Sequence, residues 1–243
     1  MLECNHVMKK YLSVTAVEDI TLRLEPGLTY ALLGPNGSGK TTFMKMVAGL
    51  IKPTSGTILF EDQEDDNFSK TQVHEIGPYS KAHIAYMPTE SYFYPYMTCK
   101  DIGAYYNDFF EDFDIKKFEF MLQNMELDLK QKASKMSSGM MAKLKIAVTL
   151  SRNARLTMLD EPLNGIDIIA RERVISTVTN NFAPDKTFVL SSHLVDELEN
   201  VIDYAIFIKH GHVELMGPVN ELRAANQKSI VDLYKQIYAD CQF

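Results

Sequence analysis

The feature that most constrains this chain is a glycine-rich segment, GPNGSGKT, at residues 34–41. It matches the pattern G-x-x-x-x-G-K-[ST]. The fixed positions of the pattern are occupied by Gly34, Gly39, Lys40 and Thr41. Such a loop needs glycines because its backbone must curl until successive N–H groups point inward and form a concave anion site. We therefore expect it to join a buried strand to the N-terminus of a helix.

The residues on either side of this loop have the required patterns. The run LTYALL at 28–33 is short and mostly apolar, as in a buried strand, and 42–50 has the apolar spacing of a helix. In this arrangement Lys40 would bridge nucleotide phosphates and Thr41 would bind Mg²⁺. The predicted nucleotide-binding set also includes Asn36, Gly37, Ser38 and Thr42. A glycine-rich turn that matches by chance is expected in about one random chain in a hundred.

A second apolar run, LTMLDEP at 156–162, contains two adjacent carboxylates. Asp160 at the end of a strand would lie near the Mg²⁺, and Glu161 would accept a proton from an attacking water molecule. An Asp-Glu pair is also common at ordinary strand ends. The glycine-rich loop upstream favours the catalytic interpretation.

A turn of small residues, Ser137-Ser138-Gly139, opens an amphipathic segment just upstream of Asp160. Such a turn at a helix N-terminus can bind an anion. One chain has no obvious need for a second phosphate site unless that site serves a neighbouring molecule. The alternative is a serine that simply caps the helix.

Together these segments resemble the ATP-binding-cassette family, the nucleotide-binding subunits of ABC transporters, over residues 8–222. The resemblance implies that ATP is sandwiched in a head-to-tail dimer, between Walker A of one subunit and the LSGGQ signature of the other. The signature position here reads MSSGM. It keeps Ser137 and Gly139, which in the family contact the γ-phosphate, and departs at Ser138 and Met140. A methionine after the glycine is similar to a branch of exporter-type ATPases.

The resemblance implies roles for three further residues. Tyr11 occupies the place of the aromatic that stacks on adenine, with an ordinary strand aromatic as the alternative. His193, in SSHLVDELE, corresponds to the switch histidine that binds the γ-phosphate and helps to hold the attacking water; a lone histidine at a strand end is otherwise usually structural. Asp167, in LNGID, corresponds to the D-loop at the dimer seam, unless the segment is a plain Asn-Gly turn.

The clearest departure from the family lies at the Q-loop, where the family has a glutamine after a strand that ends in proline. In HIAYMPTESYFYPYMT, Thr89 occupies the glutamine position and Glu90 follows it. A threonine side chain cannot reach as far as glutamine. Glu90 is therefore predicted to take over the contact with metal or water through a shift of one residue.

The predicted fold class is α/β, a P-loop NTPase core of the ABC type with a helical insertion and antiparallel β elements. We interpret residues 1–243 as one domain. Its predicted parts are an α/β core at 1–88 and 155–218, a helical subdomain carrying the signature at 89–154, and a C-terminal helix at 219–243. A hairpin is predicted to turn at His210-Gly211.

An aromatic-rich stretch runs from Tyr92 to Phe113, where nine residues are Tyr or Phe. Most of them are expected to pack inside the helical subdomain. In the family this region forms the groove that receives a coupling helix from the membrane subunit. An aromatic groove suits a partner helix.

The resemblance implies ATP hydrolysis with Mg²⁺, driving a separate transmembrane permease of the exporter type through a homodimer or a heterodimer with another cassette. A net charge of −7 disfavours a nucleic-acid partner. No apolar run approaches the roughly 20 residues that span a bilayer, so we expect a cytoplasmic chain held at the inner face of the cell membrane. The alternatives are a regulatory ATP-binding cassette with little turnover, a soluble non-transport cassette ATPase and a small-molecule kinase.

Overall fold

The computed structural model describes residues 2–62 and 72–240, and within them the strands form two sheets. The strands are β1 (Leu2–Tyr11), β2 (Val14–Leu24), β3 (Thr29–Leu33), β4 (Ser55–Asp62), β5 (Gln72–Glu75), β6 (Ile84–Met87), β7 (Leu156–Asp160), β8 (Thr187–Ser192), β9 (Tyr204–Lys209) and β10 (His212–Pro218). The smaller sheet is antiparallel, in the order β2-β1-β4-β5. The larger has the order β10-β9-β3-β8-β7-β6, with β10 antiparallel and the others parallel.

Helices follow most strands of the larger sheet and fill the interval between β6 and β7. They are α1 (Lys40–Val47), α2 (Pro78–His83), α3 (Cys99–Phe109), α4 (Ile115–Asn124), α5 (Ser138–Leu150), α6 (Ile168–Thr179), α7 (Val195–Leu198), α8 (Val219–Asn226) and α9 (Ile230–Ile237). A short 3₁₀ helix at Ala133–Lys135 precedes the turn that opens α5. The segment between β6 and β7 is thus built from α3, α4 and α5.

Both faces of the inner strands of the larger sheet are buried, which explains why β3 and β7 read as short apolar runs. All five residues of β3 are buried. Because side chains alternate along a strand, Tyr30 and Leu32 pack toward the smaller sheet and α1, whereas Ala31 and Leu33 pack toward α3, α4 and α5. The loop that follows β3 is therefore anchored to a strand that packs between two apolar cores.

The predicted α/β class, with a helical insertion and antiparallel β elements, is confirmed by this architecture. The predicted hairpin is also confirmed, since β9 and β10 pair through a turn at His210 and Gly211. Both turn residues have positive φ, 49° and 84°, as a tight two-residue hairpin turn requires.

The prediction of one C-terminal helix over 219–243 is wrong, because the structure has α8 and α9 in its place. Gln227 adopts a left-handed conformation (φ 53°) that ends α8. Ser229 then caps α9 by accepting a hydrogen bond from the Asp232 N–H. Residues 241–243 lie outside the described part of the chain.

The aromatic stretch is less buried than the sequence suggested. Five of the nine rings are exposed: Tyr92, Tyr94, Tyr96, Tyr105 and Phe109. Phe113 is buried, and Phe93, Tyr106 and Phe110 pack against the core. The expectation that most of the nine are internal is therefore wrong, because Tyr92, Tyr94 and Tyr96 lie in an exposed segment before α3 and α3 itself turns Tyr105 and Phe109 to the surface.

In residues 2–62 and 72–240, no helix is both long enough and apolar enough to span a membrane.

Candidate active site

The glycine-rich loop joins the end of β3 to the first turn of α1 and leaves that turn open to an anion. Gly39 is the N-cap residue of α1, and no side chain caps the helix. The first N–H groups of a helix have no partner within it, so those of Lys40, Thr41 and Thr42 face the loop as donors. Together with the positive end of the helix dipole, they form a phosphate-binding arrangement.

Two glycines of the loop are needed for conformational reasons. Gly39 has φ 111°, and a Cβ there would lie 2.4 Å from the Ala16 carbonyl oxygen. Gly37 has φ 80° and faces open space. Because an L side chain rarely adopts either backbone conformation, both positions favour glycine.

The other predicted loop residues surround this opening. Asn36 is exposed beside Gly37 at the tip of the loop, and Gly34 is buried where the loop leaves β3. A Cβ on Gly34 would lie 2.5 Å from the Ile208 carbonyl oxygen. Ser38 is buried, and within the described residues its Oγ has no hydrogen-bond partner.

A buried ammonium, a buried carboxylate and a partly exposed imidazole meet beside the loop. The Lys40 ammonium donates to the carbonyl oxygens of Gly34 (2.6 Å) and Pro35 (3.0 Å) and lies 3.4 Å from Glu161 Oε1. His193 Nδ1 lies 2.8 Å from Glu161 Oε2. Burial lowers the pKa of Lys40, and the charge of Glu161 opposes that shift.

Glu161 is held in a strained backbone conformation. Its φ is 51°, which is unusual for a residue with a side chain, and its N–H donates to Ser191 Oγ (2.9 Å). Its carboxylate is buried, and Oε1 has no hydrogen-bond partner among the residues described. A buried carboxylate oxygen without a hydrogen-bond partner can accept a hydrogen bond from a water molecule.

Asp160 ends β7 and is fully buried. Ser191 Oγ donates to Asp160 Oδ1 (2.5 Å), and the Tyr86 hydroxyl donates to Oδ2 (3.2 Å). The parallel register aligns Asp160 with Ser191 of β8, while Tyr86 comes from β6 on the other side. Burial and the nearby Asp160 carboxylate raise the pKa of Tyr86, so the tyrosine remains a donor.

Tyr86 and Ser191 were missed by the sequence analysis. Each precedes a predicted site residue by a short distance, near the C-terminal end of its strand. Position at that edge of a parallel sheet is the only signal that would have indicated them. The sequence does not reveal their contact with Asp160, because contact depends on the strand order.

The signature turn and the D-loop lie against each other in the same chain. Ser137 Oγ accepts a hydrogen bond from the Met140 N–H and so caps α5. A Cβ on Gly139 would lie 3.1 Å from the Gly165 carbonyl oxygen, and Ser138 Oγ lies 3.5 Å from the same oxygen. No hydrogen bond or ion pair in the described residues joins this turn to the glycine-rich loop.

The exposed Asp167 has a structural contact of its own. Its carboxylate caps α6 by accepting from the Ala170 N–H (3.0 Å). A role at a dimer seam, like those of Ser137 and Gly139 toward a neighbouring ATP, stays a prediction.

Tyr11 lies at the end of β1, where the chain turns into β2. Its ring is 45% exposed, and the Lys9 ammonium lies 5.1 Å from the ring centroid. The β2 residue Ala16 contacts the glycine-rich loop at Gly39. Tyr11 is therefore an exposed aromatic residue on a hairpin that borders the loop.

Glu90 is not brought together with the predicted metal ligands. Its carboxylate forms an ion pair with Lys45 of α1 (2.7 Å), which lowers the pKa of Glu90. Thr89 Oγ1 lies 3.4 Å from the other carboxylate oxygen. Among the described residues, no hydrogen bond joins Glu90 to Thr41 or Asp160, so its metal role stays a prediction without geometric support.

The chain was compared with protein-family models and with curated proteins. A model for the ABC transporter family matches residues 17–164. The chain is 27% identical to the ABC transporter ATP-binding protein YtrB of Bacillus subtilis, over 92% of the chain and 74% of that protein. It is 29% identical to the lantibiotic transport ATP-binding protein SrtF of Streptococcus pyogenes, over 88% of the chain and 90% of that protein.

Solved structures share the fold. An ATP-binding subunit of an ABC transporter superposes with a TM-score of 0.81 at 23% identity, covering 97% of this chain and 98% of that one. The cassette MJ0796, in a dimeric post-hydrolysis state bound to ADP and Pi, gives a TM-score of 0.75 at 21% identity. That match covers 90% of this chain and 98% of the other.

Proposed function

The chain belongs to the ABC transporter family and is an ATP-binding subunit with ATPase chemistry, and on that premise we propose that it drives a separate membrane permease of the exporter type. The observation that carries the catalytic part is the buried Glu161 carboxylate, which lies between the Lys40 ammonium and the His193 imidazole. That constellation borders the uncapped first turn of α1. It combines an anion site with a proton acceptor.

The residues around the loop suit a nucleotide and a metal ion. Ser38 Oγ and Glu161 Oε1 are buried polar atoms without hydrogen-bond partners in the described chain, and a phosphate and its attacking water would satisfy them. Thr41 and Asp160 provide the hydroxyl and carboxylate oxygens that Mg²⁺ prefers. When bound, the ion would neutralise charge on the phosphates.

In the proposed reaction, the chain's own groups bind the phosphate and activate the attacking water. The Lys40 ammonium exchanges its carbonyl contacts at Gly34 and Pro35 for phosphate oxygens. Glu161 accepts a proton from the attacking water, and His193 orients that water through its contact with the carboxylate. The N–H groups at the start of α1 hold the phosphate in line.

We propose that two cassettes close around ATP, each offering Ser137 and Gly139 to the nucleotide of the other. The exposed D-loop residue Asp167 would then lie at the seam. The dimeric state of the cassette MJ0796 supports this arrangement. The partner is a second copy or a related cassette, and the net charge of −7 argues against nucleic acid.

The proposed export direction and location rest on similarity. The name of the lantibiotic transport protein SrtF supports a role in transport. The methionine after Gly139, which is similar to a branch of exporter-type ATPases, supports the export direction. A cassette that drives a permease would be bound to the inner face of the cell membrane through that permease.

The first experiment is steady-state phosphate release by the purified chain, with Mg²⁺ and with a chelator. Release that requires Mg²⁺ supports the transport ATPase. ATP binding without release would instead favour the regulatory cassette, the second candidate, which the departures at Thr89 and Ser138 keep open.

Tyr86→Phe is expected to raise the Mg²⁺ concentration needed for half-maximal ATP binding by about 10- to 100-fold, because an outer hydrogen bond that orients the metal-binding Asp160 is lost. Calorimetric titration of ATP at several Mg²⁺ concentrations measures the change. Tyr30→Phe is the matched control, since in the described part of the chain the hydroxyl of this buried residue bonds only to the Glu25 backbone. An equal Mg²⁺ shift in both variants would contradict the role of Tyr86.

The partner helix is proposed to bind the exposed aromatic groove on α3 and the segment before it. The groove is a cavity of about 510 Å³. Its lining includes Tyr92, Phe93, Tyr94, Tyr105, Tyr106 and Phe109. Exposed aromatic rings around such a cavity are typical of a helix-binding surface.

The double variant Tyr94→Ser/Phe109→Ser is expected to abolish recruitment to membrane vesicles from the source cells while ATP binding remains. The reason is that both exposed rings would lose their contact with the partner helix. Vesicle sedimentation and ATP titration give the two readouts. Phe120→Ser is the control, because Phe120 is 63% exposed but lies outside the groove. Loss of ATP binding together with recruitment would count against the groove.

A further inference from the structure

Lys145 is a buried lysine in the middle of α5. Its residue is 5% exposed, and its neighbours Leu144 and Ile146 are completely buried. Its ammonium donates to the carbonyl oxygens of Pro88 (2.8 Å) and Thr89 (2.7 Å). Within residues 2–62 and 72–240, no carboxylate lies within ion-pair distance of it.

A buried ammonium carries a desolvation penalty that its hydrogen bonds must offset. Burial lowers the pKa of Lys145, and the charges of Glu90 and Asp160 favour its ammonium form. An apolar residue of similar length would fill the same space without the desolvation penalty. The two carbonyl contacts are thus the feature that the lysine adds.

These contacts connect two structural elements that take part in the proposed ATPase cycle. Pro88 and Thr89 directly follow β6, which pairs with β7 next to Asp160. Lys145 belongs to α5, which begins at the signature turn. The next residue, Glu90, is tied to Lys45 of the P-loop helix α1. The segment 88–90 is therefore bound by one lysine from α1 and one from α5.

We infer that Lys145 is a positioning residue. It couples α5, the helix that begins at the signature turn, to movement of the segment 88–90, which follows β6 beside the ATP site. The inference rests on the proposed function. Thr89 cannot reach as far as the family's glutamine, so the connection here runs through backbone carbonyls and the Lys145 ammonium. ATP binding at the P-loop would then be transmitted to Ser137 and Gly139.

Lys145→Met and Lys145→Arg, each combined with Glu161→Gln to prevent turnover, test this role. The affinity of the monomeric methionine variant for ATP should lie within about twofold of that of its parent. Its ATP-dependent dimer should form about tenfold more weakly. The arginine variant should restore dimerisation, because it keeps a cationic donor. Lys143→Met is the matched control on α5, since its ammonium donates to the Met125 carbonyl and, among the residues described, to no other group.

Hydrogen–deuterium exchange supplies a readout that a purely structural role would not change selectively. ATP should protect residues 34–42 in every variant that folds, whereas protection of 136–141 should be lost in Lys145→Met alone. Equal dimerisation and equal protection in Lys145→Met and its parent would overturn the inference while leaving the proposed function intact. Failure of the Glu161→Gln parent to dimerise would contradict the proposed homodimer and overturn the inference that Lys145 acts through it.

Thermal unfolding identifies a variant that does not fold. In that event Lys145→Gln replaces Lys145→Met, since its amide is a neutral donor of shorter reach. Normal dimerisation by Lys145→Gln would overturn the inference, and weakened dimerisation with intact ATP binding would support it.

Discussion

Replacing Glu161 by glutamine is expected to lower phosphate release about 10²- to 10⁴-fold, or by about 3–5 kcal/mol of barrier, while ATP binding is retained. Glutamine keeps the size of the side chain but cannot accept the proton of the attacking water. His193 Nδ1 lies 2.8 Å from the Glu161 carboxylate. In either orientation of its amide, the glutamine presents an oxygen or an NH₂ group to that nitrogen. The variant should therefore accumulate as an ATP-bound dimer, which light scattering and a phosphate assay detect.

The matched control for this substitution is Glu119→Gln, the same chemical change at an exposed position on α4. It should release phosphate at the rate of the unmodified chain. Full activity in Glu161→Gln would show that another group accepts the proton. A Glu161→Gln protein that stays monomeric with ATP would contradict a homodimer and direct the search to a second cassette.

Lys40→Met is expected to weaken ATP binding about 10- to 150-fold, because charge-assisted hydrogen bonds to phosphate contribute about 1.5–3 kcal/mol. The ammonium is already desolvated, and its pKa is lowered by burial. Exchange of the Gly34 and Pro35 carbonyls for phosphate oxygens therefore needs little further dehydration. Calorimetric titration of ATP measures the loss.

Lys116→Met, an exposed lysine-to-methionine change on α4, is the control and should bind ATP normally. Circular dichroism must show that Lys40→Met is folded, since removal of the ammonium leaves the buried Glu161 without its nearest cation. Unchanged ATP affinity in a folded Lys40→Met protein would exclude the proposed phosphate contact.

The sequence predicted the parts of the site that are contiguous in the chain. The loop at 34–41 lies between β3 and α1 in the predicted order, because strand, turn and helix are each specified by local residue patterns. The pair Asp160 and Glu161 likewise lies at the end of a buried strand. The sequence did not predict the break between α8 and α9, where a left-handed Gln227 ends one helix.

The sequence by itself determined the fold class and the residues that can bind phosphate or move a proton, since both are written in short local patterns. Only the tertiary structure decided which distant groups meet them. It brought Tyr86 and Ser191 to Asp160, paired Glu90 with Lys45, and placed Lys145 under Pro88 and Thr89. The physical reason is that these contacts depend on the order and register of strands and on helix packing, which arise from burial summed over the whole chain.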